Sequence, residues 1–315
     1  MRLKYSKSKN EITVLYVNVN NFGRHKVKPT RNHNKYKYTE SLNKWYEETE
    51  KESPNLINEF ISFISMQNAD IIAIHEFDNK LNSNRVSNFL DGVGVNDKSE
   101  NGYTIIYPMN SSGEKWCSGG SISLMLVSNR IMNDISQKRG PKEIEDKKNC
   151  YKWAKWIEIE YGDFSIITVH VPIGNKLNRP IRLDSVLFWD AIHRRVLKRM
   201  NENKKVVVIG DMNVNPEVLT TSTYKVELLK HICVKNRNIV DAWEYCIENG
   251  KSFIVNAEDR ELKSNKINKD TTIFDTRIDY AFCSSDINIK KMVINDKVRE
   301  ITDHSAIKLT MERDE

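Results

Sequence analysis

The sequence predicts a layered α/β fold held in one domain, and three observations carry that prediction. Short β-branched runs recur along the chain, among them ITVLYVNV (12–19), DIIAIHEF (70–77), SISLMLVS (121–128), KWIEIEYG (155–162), FSIITVHV (164–171), KVVVIGDM (205–212), RIDYAFCS (277–284) and SAIKLTM (305–311). Several of these, such as KVVVIG and DIIAI, are apolar on both faces, as expected of strands covered on two sides. Segments with helical periodicity fall between some of them.

The elements follow in order. Leu56, Ile57, Phe60, Ile61, Phe63 and Ile64 make a helical stripe after Ser53-Pro54, a start signal. Residues 181–200 show apolar spacing near 3.6 and end in basic residues, which suits the helix dipole. A shorter helix is expected after Pro216, over 216–231. Two polar stretches, 24–52 and 256–272, break the rhythm and read as long loops or surface insertions. There is no internal repeat and no low-complexity linker. A chain of 315 residues can bury roughly three quarters of its unfolded surface, so its core needs no disulfide or metal staple.

Composition narrows the function. The five cysteines form no CxxC pair and no Cys/His cluster, which argues against zinc and for reduced thiols. The apolar run near the N-terminus, ITVLYV, is too short for a signal peptide, and no stretch approaches the ~20 apolar residues of a membrane span. The chain therefore reads as soluble and cytoplasmic. A net charge of +6 favours a polyanionic partner such as nucleic acid, though weakly by itself.

Carboxylates stand at the ends of the apolar strands. An ionised carboxylate is costly to bury unless it is paired or metal-bound. Glu76 follows DIIAIH, Asp211 follows VVVIG, Asp279 lies within RIDYAF, and Asp303 precedes His304; Asn18, Asn213 and His170 occupy similar positions. Oxygen donors of this kind suit Mg²⁺ or Ca²⁺ better than zinc. Singly, each has an ordinary structural explanation: a turn cap, a helix cap, a hydrogen-bonded core histidine.

Their order along the chain resembles the endonuclease/exonuclease/phosphatase superfamily. YVNVNNF (16–22) resembles the family's WN motif, with Val17 in place of Trp and Asn18 kept. IHEF (74–77) resembles LQE, with His75 in place of Gln and Glu76 kept. TVHVP (168–172) resembles the central THxP or YxP strand, IGDMN (209–213) the GDxN motif, RIDY (277–280) the RxDY motif, and TDH (302–304) the SDH motif with Thr302 for Ser. These six span nearly the whole chain.

The resemblance implies a four-layer α/β sandwich, DNase I-like, with two packed and mostly antiparallel sheets flanked by helices. It implies a Mg²⁺-dependent (Mn²⁺ acceptable) phosphodiesterase, most simply a nuclease. Glu76 would bind the metal, with Asn18 and Asp303 close by. Asp211 would orient or deprotonate the attacking water, and Asn213 would hold that water or a phosphate oxygen. His304, paired with Asp279, would contact the scissile phosphate. His170 would add a second phosphate contact or a proton donor, and Arg277 would bind substrate. Abasic-site enzymes of the exonuclease III type carry Tyr at the position of His170, and several abasic-site enzymes carry an aromatic residue at that of Thr276, so a dedicated abasic-site role is disfavoured.

Two alternatives stand beside the nuclease. One is a phosphoinositide or sphingomyelin enzyme on the same chemistry, disfavoured by the polar insertions. The other is a non-catalytic nucleic-acid-binding relative, disfavoured by the intact acidic positions. The insertion 24–52 begins close after Asn18. Lys26, Lys28 and Arg31 within it are expected to bind backbone phosphates, with Tyr36, Tyr38 and Trp45 available to stack on bases.

Overall fold

The computed structural model describes residues 10–22, 55–78, 83–115, 121–145, 153–172, 179–214, 238–256, 260–266, 269–272 and 276–313. The expected arm residues Lys26, Lys28 and Arg31, and the expected helix at 216–231, lie outside the described residues.

The strands are β1 (Glu11–Asn18), β2 (Ile71–Asp78), β3 (Tyr103–Ile106), β4 (Ser121–Ser128), β5 (Ile135–Lys138), β6 (Trp156–Tyr161) and β7 (Phe164–His170). They continue as β8 (Lys205–Asp211), β9 (Ile239–Asp241), β10 (Ser252–Val255), β11 (Glu261–Lys263), β12 (Asp279–Ser284), β13 (Ile289–Asn295) and β14 (Ala306–Glu312). The helices are α1 (55–67), α2 (Ser83–Gly92), the single turn α3 (Asn129–Met132), α4 (Arg179–Asn201) and α5 (Ala242–Glu248). Eight strands form one sheet, ordered β11-β10-β13-β14-β1-β2-β4-β3, and six form the other, ordered β5-β6-β7-β8-β12-β9. Both sheets are mixed: β1/β2, β10/β13 and β7/β8 pair in parallel, the remaining neighbours antiparallel.

Strand alternation sorts the side chains into three apolar layers. Val14 and Tyr16 of β1, Ile71 and Ala73 of β2, Ile157 and Ile159 of β6, and Val207 and Ile209 of β8 meet between the sheets. The opposite face of the eight-stranded sheet, with Leu15, Val17, Ile72 and Ile74, is covered by α1 through Leu56, Ile57, Phe60, Phe63 and Ile64, and by Phe89 of α2. The opposite face of the six-stranded sheet, with Ile167, Val169, Val206 and Val208, is covered by Phe188, Trp189, Ile192 and Val196 of α4. Helix, sheet, sheet, helix is the expected DNase I-like four-layer sandwich.

Charge fixes α4 on its sheet. Glu158 of β6 is fully buried on the α4 side and accepts from Arg199 Nε at 2.6 Å, with Arg195 Nη1 at 3.4 Å from its other oxygen. Part of 256–272, expected as loop, is structured: β11 closes one sheet edge, and Lys269 and Asp270 join Asp296 and Arg299 in an ion-pair network. A polar sequence hid this segment because β11 is an exposed edge strand and the charges of Lys269 and Asp270 are matched by partners distant in sequence, Asp296 and Arg299.

Candidate active site

The layer between the sheets is apolar along most of its length and becomes polar at one end. In β1 the inward series Ile12, Val14, Tyr16 continues to Asn18; in β2, Ile71 and Ala73 continue to His75; in β8, Val207 and Ile209 continue to Asp211. Register sets these end residues in rows. Asn18 lies beside His75 across the parallel β1/β2 pair. His170, Asp211 and Asp279 lie side by side across β7, β8 and β12. Two cross-sheet hydrogen bonds join the rows, from Asn18 Nδ2 to Asp211 Oδ2 at 3.2 Å and from the Tyr16 hydroxyl to Asp279 Oδ1 at 3.0 Å.

Glu76 reaches the site through a departure from the pleat. The β2/β4 register shifts between Ile74 and Phe77, and Glu76 takes φ +54° in the left-handed region that side chains rarely adopt. With 26% of its side chain exposed, Glu76 is the most accessible carboxylate of the group, against 3% for Asp211 and none for Asp279. Asn213, at φ +48°, turns the chain after β8; its backbone N–H donates to Asp211 Oδ1 at 2.8 Å and its Nδ2 to the Val171 carbonyl at 2.7 Å. Gly210 is required just before Asp211, because a Cβ there would overlap the Val169 carbonyl of β7.

Two histidines enter with opposite surroundings. His304 Nδ1 is 2.9 Å from Asp279 Oδ2, and its Nε2 is 3.9 Å from Asp303 Oδ1. Burial works against a charge on His304, but the Asp279 carboxylate overrides it and, with Asp211 and Asp303, raises its pKa to about 10. His304 is thus a cation at neutral pH. His170 Nε2 lies 3.3 Å from Glu76 Oε1 and 3.8 Å from Asp211 Oδ2, while its Nδ1 lies 3.4 Å from Lys155 Nζ. Burial, Lys155 and the other two histidines push its pKa well below the usual value. Asp211 goes the other way: burial and the neighbouring Asp279 carboxylate push it up to about 8, with Glu76 adding and His304 opposing.

All the expected catalytic and metal residues converge here except one at the margin. Asp303 is held at the rim by Asn20 Nδ2 at 3.0 Å, and the Thr302 hydroxyl donates to the Asn18 carbonyl at 2.8 Å. Arg277, expected at the substrate, is buried against the Tyr280 ring with its Nη2 2.7 Å from both Asp241 oxygens.

Sequence reasoning passed over Tyr16, His75 and Lys155. Period-two counting back from Ile157 and Ile159 places Lys155 on the inter-sheet face, and the same count from Asn18 finds Tyr16. His75 is fully buried, has no hydrogen-bond partner on either ring nitrogen, packs edge-on to Tyr16 at 5.1 Å, and burial with Lys155 and His304 lowers its pKa to about 3.

The site fits a divalent cation by its charge. Carboxylates placed directly opposite on neighbouring strands repel, and here Asp211 and Asp279 are so placed, with Glu76 nearby. Asp211, Asp279 and His304 form the one group of potential metal ligands found among the described residues. Both Asp279 oxygens are engaged by Tyr16 and His304, so Asp279 is committed within the protein, whereas Glu76 is partly accessible to solvent.

No family model and no curated protein sequence matches the chain. Solved structures do. An AP endonuclease from Archaeoglobus fulgidus superposes with TM-score 0.57 at 12% identity, covering 95% of this chain and 98% of that one. The 3'-5' exonuclease (NExo) from Neisseria meningitidis gives 0.58 at 14% identity over 96% of this chain and 100% of its own. The APE2 catalytic domain of Xenopus laevis gives 0.59 at 13% identity over 96% and 92%. At these identities the likeness establishes the fold, the DNase I-like sandwich that the six sequence motifs imply.

Proposed function

We propose that the chain is a divalent-metal-dependent phosphodiesterase that cleaves nucleic acid. The observation that carries this reading is the joining of two rows of polar residues, Asn18 and His75 facing His170, Asp211 and Asp279, with Glu76 and His304 alongside, at one end of the inter-sheet layer. Phosphodiester hydrolysis needs a positioned water, charge compensation on the phosphate and help for the leaving oxygen. The solved structures of this fold include an AP endonuclease and a 3'-5' exonuclease, which supports nucleic acid as the substrate class.

Asp211 suits the proton-accepting role. Its two oxygens are fixed by the Asn213 N–H and the Asn18 amide, and burial beside Asp279 raises its proton affinity above that of an ordinary carboxylate, as a proton acceptor requires. His304 supplies positive charge through Nε2–H, with Asp279 holding the ring from behind. Glu76 would hold Mg²⁺, with Asn18 and Asp303 beside it, and Mn²⁺ would substitute. The ion supplies Lewis acidity and charge neutralisation. Asn213 fastens the end of β7 to the turn after β8 and so keeps Asp211 aimed. Lys26, Lys28 and Arg31 would add backbone-phosphate contacts, and Arg277 supports β12 through Asp241.

The test is a substrate panel with Mg²⁺: plasmid DNA, single-stranded DNA, RNA, a phosphoinositide and sphingomyelin. Cleavage of a nucleic acid and not of the lipids is expected. Cleavage of a lipid alone would transfer the same chemistry to the other substrate class.

A further inference from the structure

Lys155 ends a short 3-10 turn, Trp153–Lys155, and leads directly into β6. Its position in the alternation is that of Ile157 and Ile159, which pack between the sheets. Its Nζ lies 3.4 Å from Nδ1 of His170. On the far side of the same ring, Nε2 is 3.3 Å from Glu76 Oε1 and 3.8 Å from Asp211 Oδ2. A neutral imidazole has one N–H and one lone pair, and which nitrogen bears the proton is set by the partners of each. As an ammonium, Lys155 has N–H bonds to donate and no lone pair, so Nδ1 facing it takes the accepting role. Nε2 faces oxygens that accept. Both ends of the ring therefore call for the same tautomer, and the reverse arrangement would set an ammonium donor against an N–H donor.

We infer that Lys155 is a positioning residue of the proposed phosphodiesterase site: its Nζ–H donates to His170 Nδ1 and fixes His170 with its proton on Nε2, aimed at Glu76 and Asp211. The consequence for turnover rests on the function proposed above; the tautomer itself does not. His304 shows the opposite wiring, with the Asp279 carboxylate accepting from Nδ1–H. The two histidines thus divide the work. His304 brings positive charge to the phosphate, and His170 brings one directed N–H that holds the Glu76 and Asp211 side chains in place. A second phosphate contact at His170, one of the two roles the sequence suggested for it, is not what this wiring provides.

The test is a long-range ¹H–¹⁵N correlation spectrum of the imidazoles in the full chain, in EDTA and again with Mg²⁺, with His170→Gln used for assignment. The expected wild-type pattern is a pyridine-like Nδ1 and a proton-bearing Nε2 for His170. In Lys155→Met that pattern should give way to tautomer averaging. Its kcat on a small phosphodiester should fall about 10–100-fold, the usual cost of losing an outer partner of a site residue, with KM little changed. Lys155→Arg, which keeps an N–H donor, should recover part of both. A wild-type His170 carrying its proton on Nδ1, or on both nitrogens, overturns the inference, as does a Lys155→Met protein with the wild-type pattern. If Lys155→Met does not fold, the wild-type spectrum decides alone. The expected spectrum in a wild-type protein that cleaves no phosphodiester would uphold the tautomer and refute the reaction.

Discussion

Replacing Asp279 with Asn should remove the charge that keeps His304 protonated. The structure sets the size of the effect. Asp279 is fully buried and sits 2.9 Å from His304 Nδ1, whose pKa it helps raise from 6.5 to about 10. At about 1.36 kcal/mol per pKa unit, that gap favours the folded protein by about 4 kcal/mol at pH 7. Asp211 would gain from the removal of a repulsive neighbour, so the net loss in Asp279→Asn should be about 2–4 kcal/mol, at or just below the ~3–5 kcal/mol of opening a buried ion pair. The sign fixes the pH window. A histidine with a raised folded pKa contributes fully below its unfolded pKa of 6.5 and loses that contribution as pH climbs to about 10. Guanidinium unfolding of both proteins in excess EDTA, at steps from pH 6.5 to 10, reads this directly. The gap between wild type and variant should narrow as pH rises. A gap that stays constant over that range would refute the pairing as the source of His304's charge, and so would no gap at pH 7.

Other substitutions probe other parts. Asp211→Ala should lower kcat by about 10²–10⁴ while leaving far-UV circular dichroism unchanged; activity above about a tenth of wild type, a barrier change under about 1.4 kcal/mol, would end its role as base. Excess EDTA should abolish turnover, and added Mg²⁺ or Mn²⁺ should restore it; full activity in the chelator contradicts the metal requirement. Gly210→Ala should destabilise the fold by about 3 kcal/mol or more in urea unfolding, because the new Cβ meets the Val169 carbonyl in the middle of the sheet. Reversing Lys26, Lys28 and Arg31 to Glu should weaken nucleic-acid binding and reduce the slope of log K against log salt by roughly 0.7–0.9 for each backbone phosphate no longer neutralised; an unchanged slope would show that these residues neutralise none.

The long interior strands were legible because burial on both faces demands continuous β-branched runs, as in KVVVIG of β8 and DIIAI of β2. The short strands β3, β5, β9, β10 and β11 were not, since three or four residues at or near a sheet edge carry little pattern. β13 was missed for another reason: Lys290 and Lys291 and a register shift beside Ile289 break its alternation. The acidic residues of the site stood out because a carboxylate after an apolar strand is costly without a purpose. Lys155 and Tyr16 did not, since a polar residue at a strand end or a tyrosine in an apolar run is ordinary. Their meaning arises only when the turn before β6 lies beside the end of β7 in one sheet and β1 faces β12 across the sheets, contacts that join residues as far apart as Tyr16 and Asp279. Arg277 illustrates the converse. Its motif suggested substrate, but the partner that occupies it, Asp241, is visible only in the fold.

Under the proposed function, this end of the inter-sheet layer hydrolyses phosphodiesters in nucleic acid with a bound divalent cation. The most direct measurement is cleavage of an end-labelled oligonucleotide as a function of Mg²⁺, run in parallel for wild type and for His304→Ala, a substitution that leaves Glu76 and Asp211, the proposed metal ligand and base, in place. Saturable Mg²⁺-dependent cleavage by wild type, falling at least about 100-fold in His304→Ala, is the predicted result. Cleavage that ignores Mg²⁺, or that persists undiminished in His304→Ala, would contradict it.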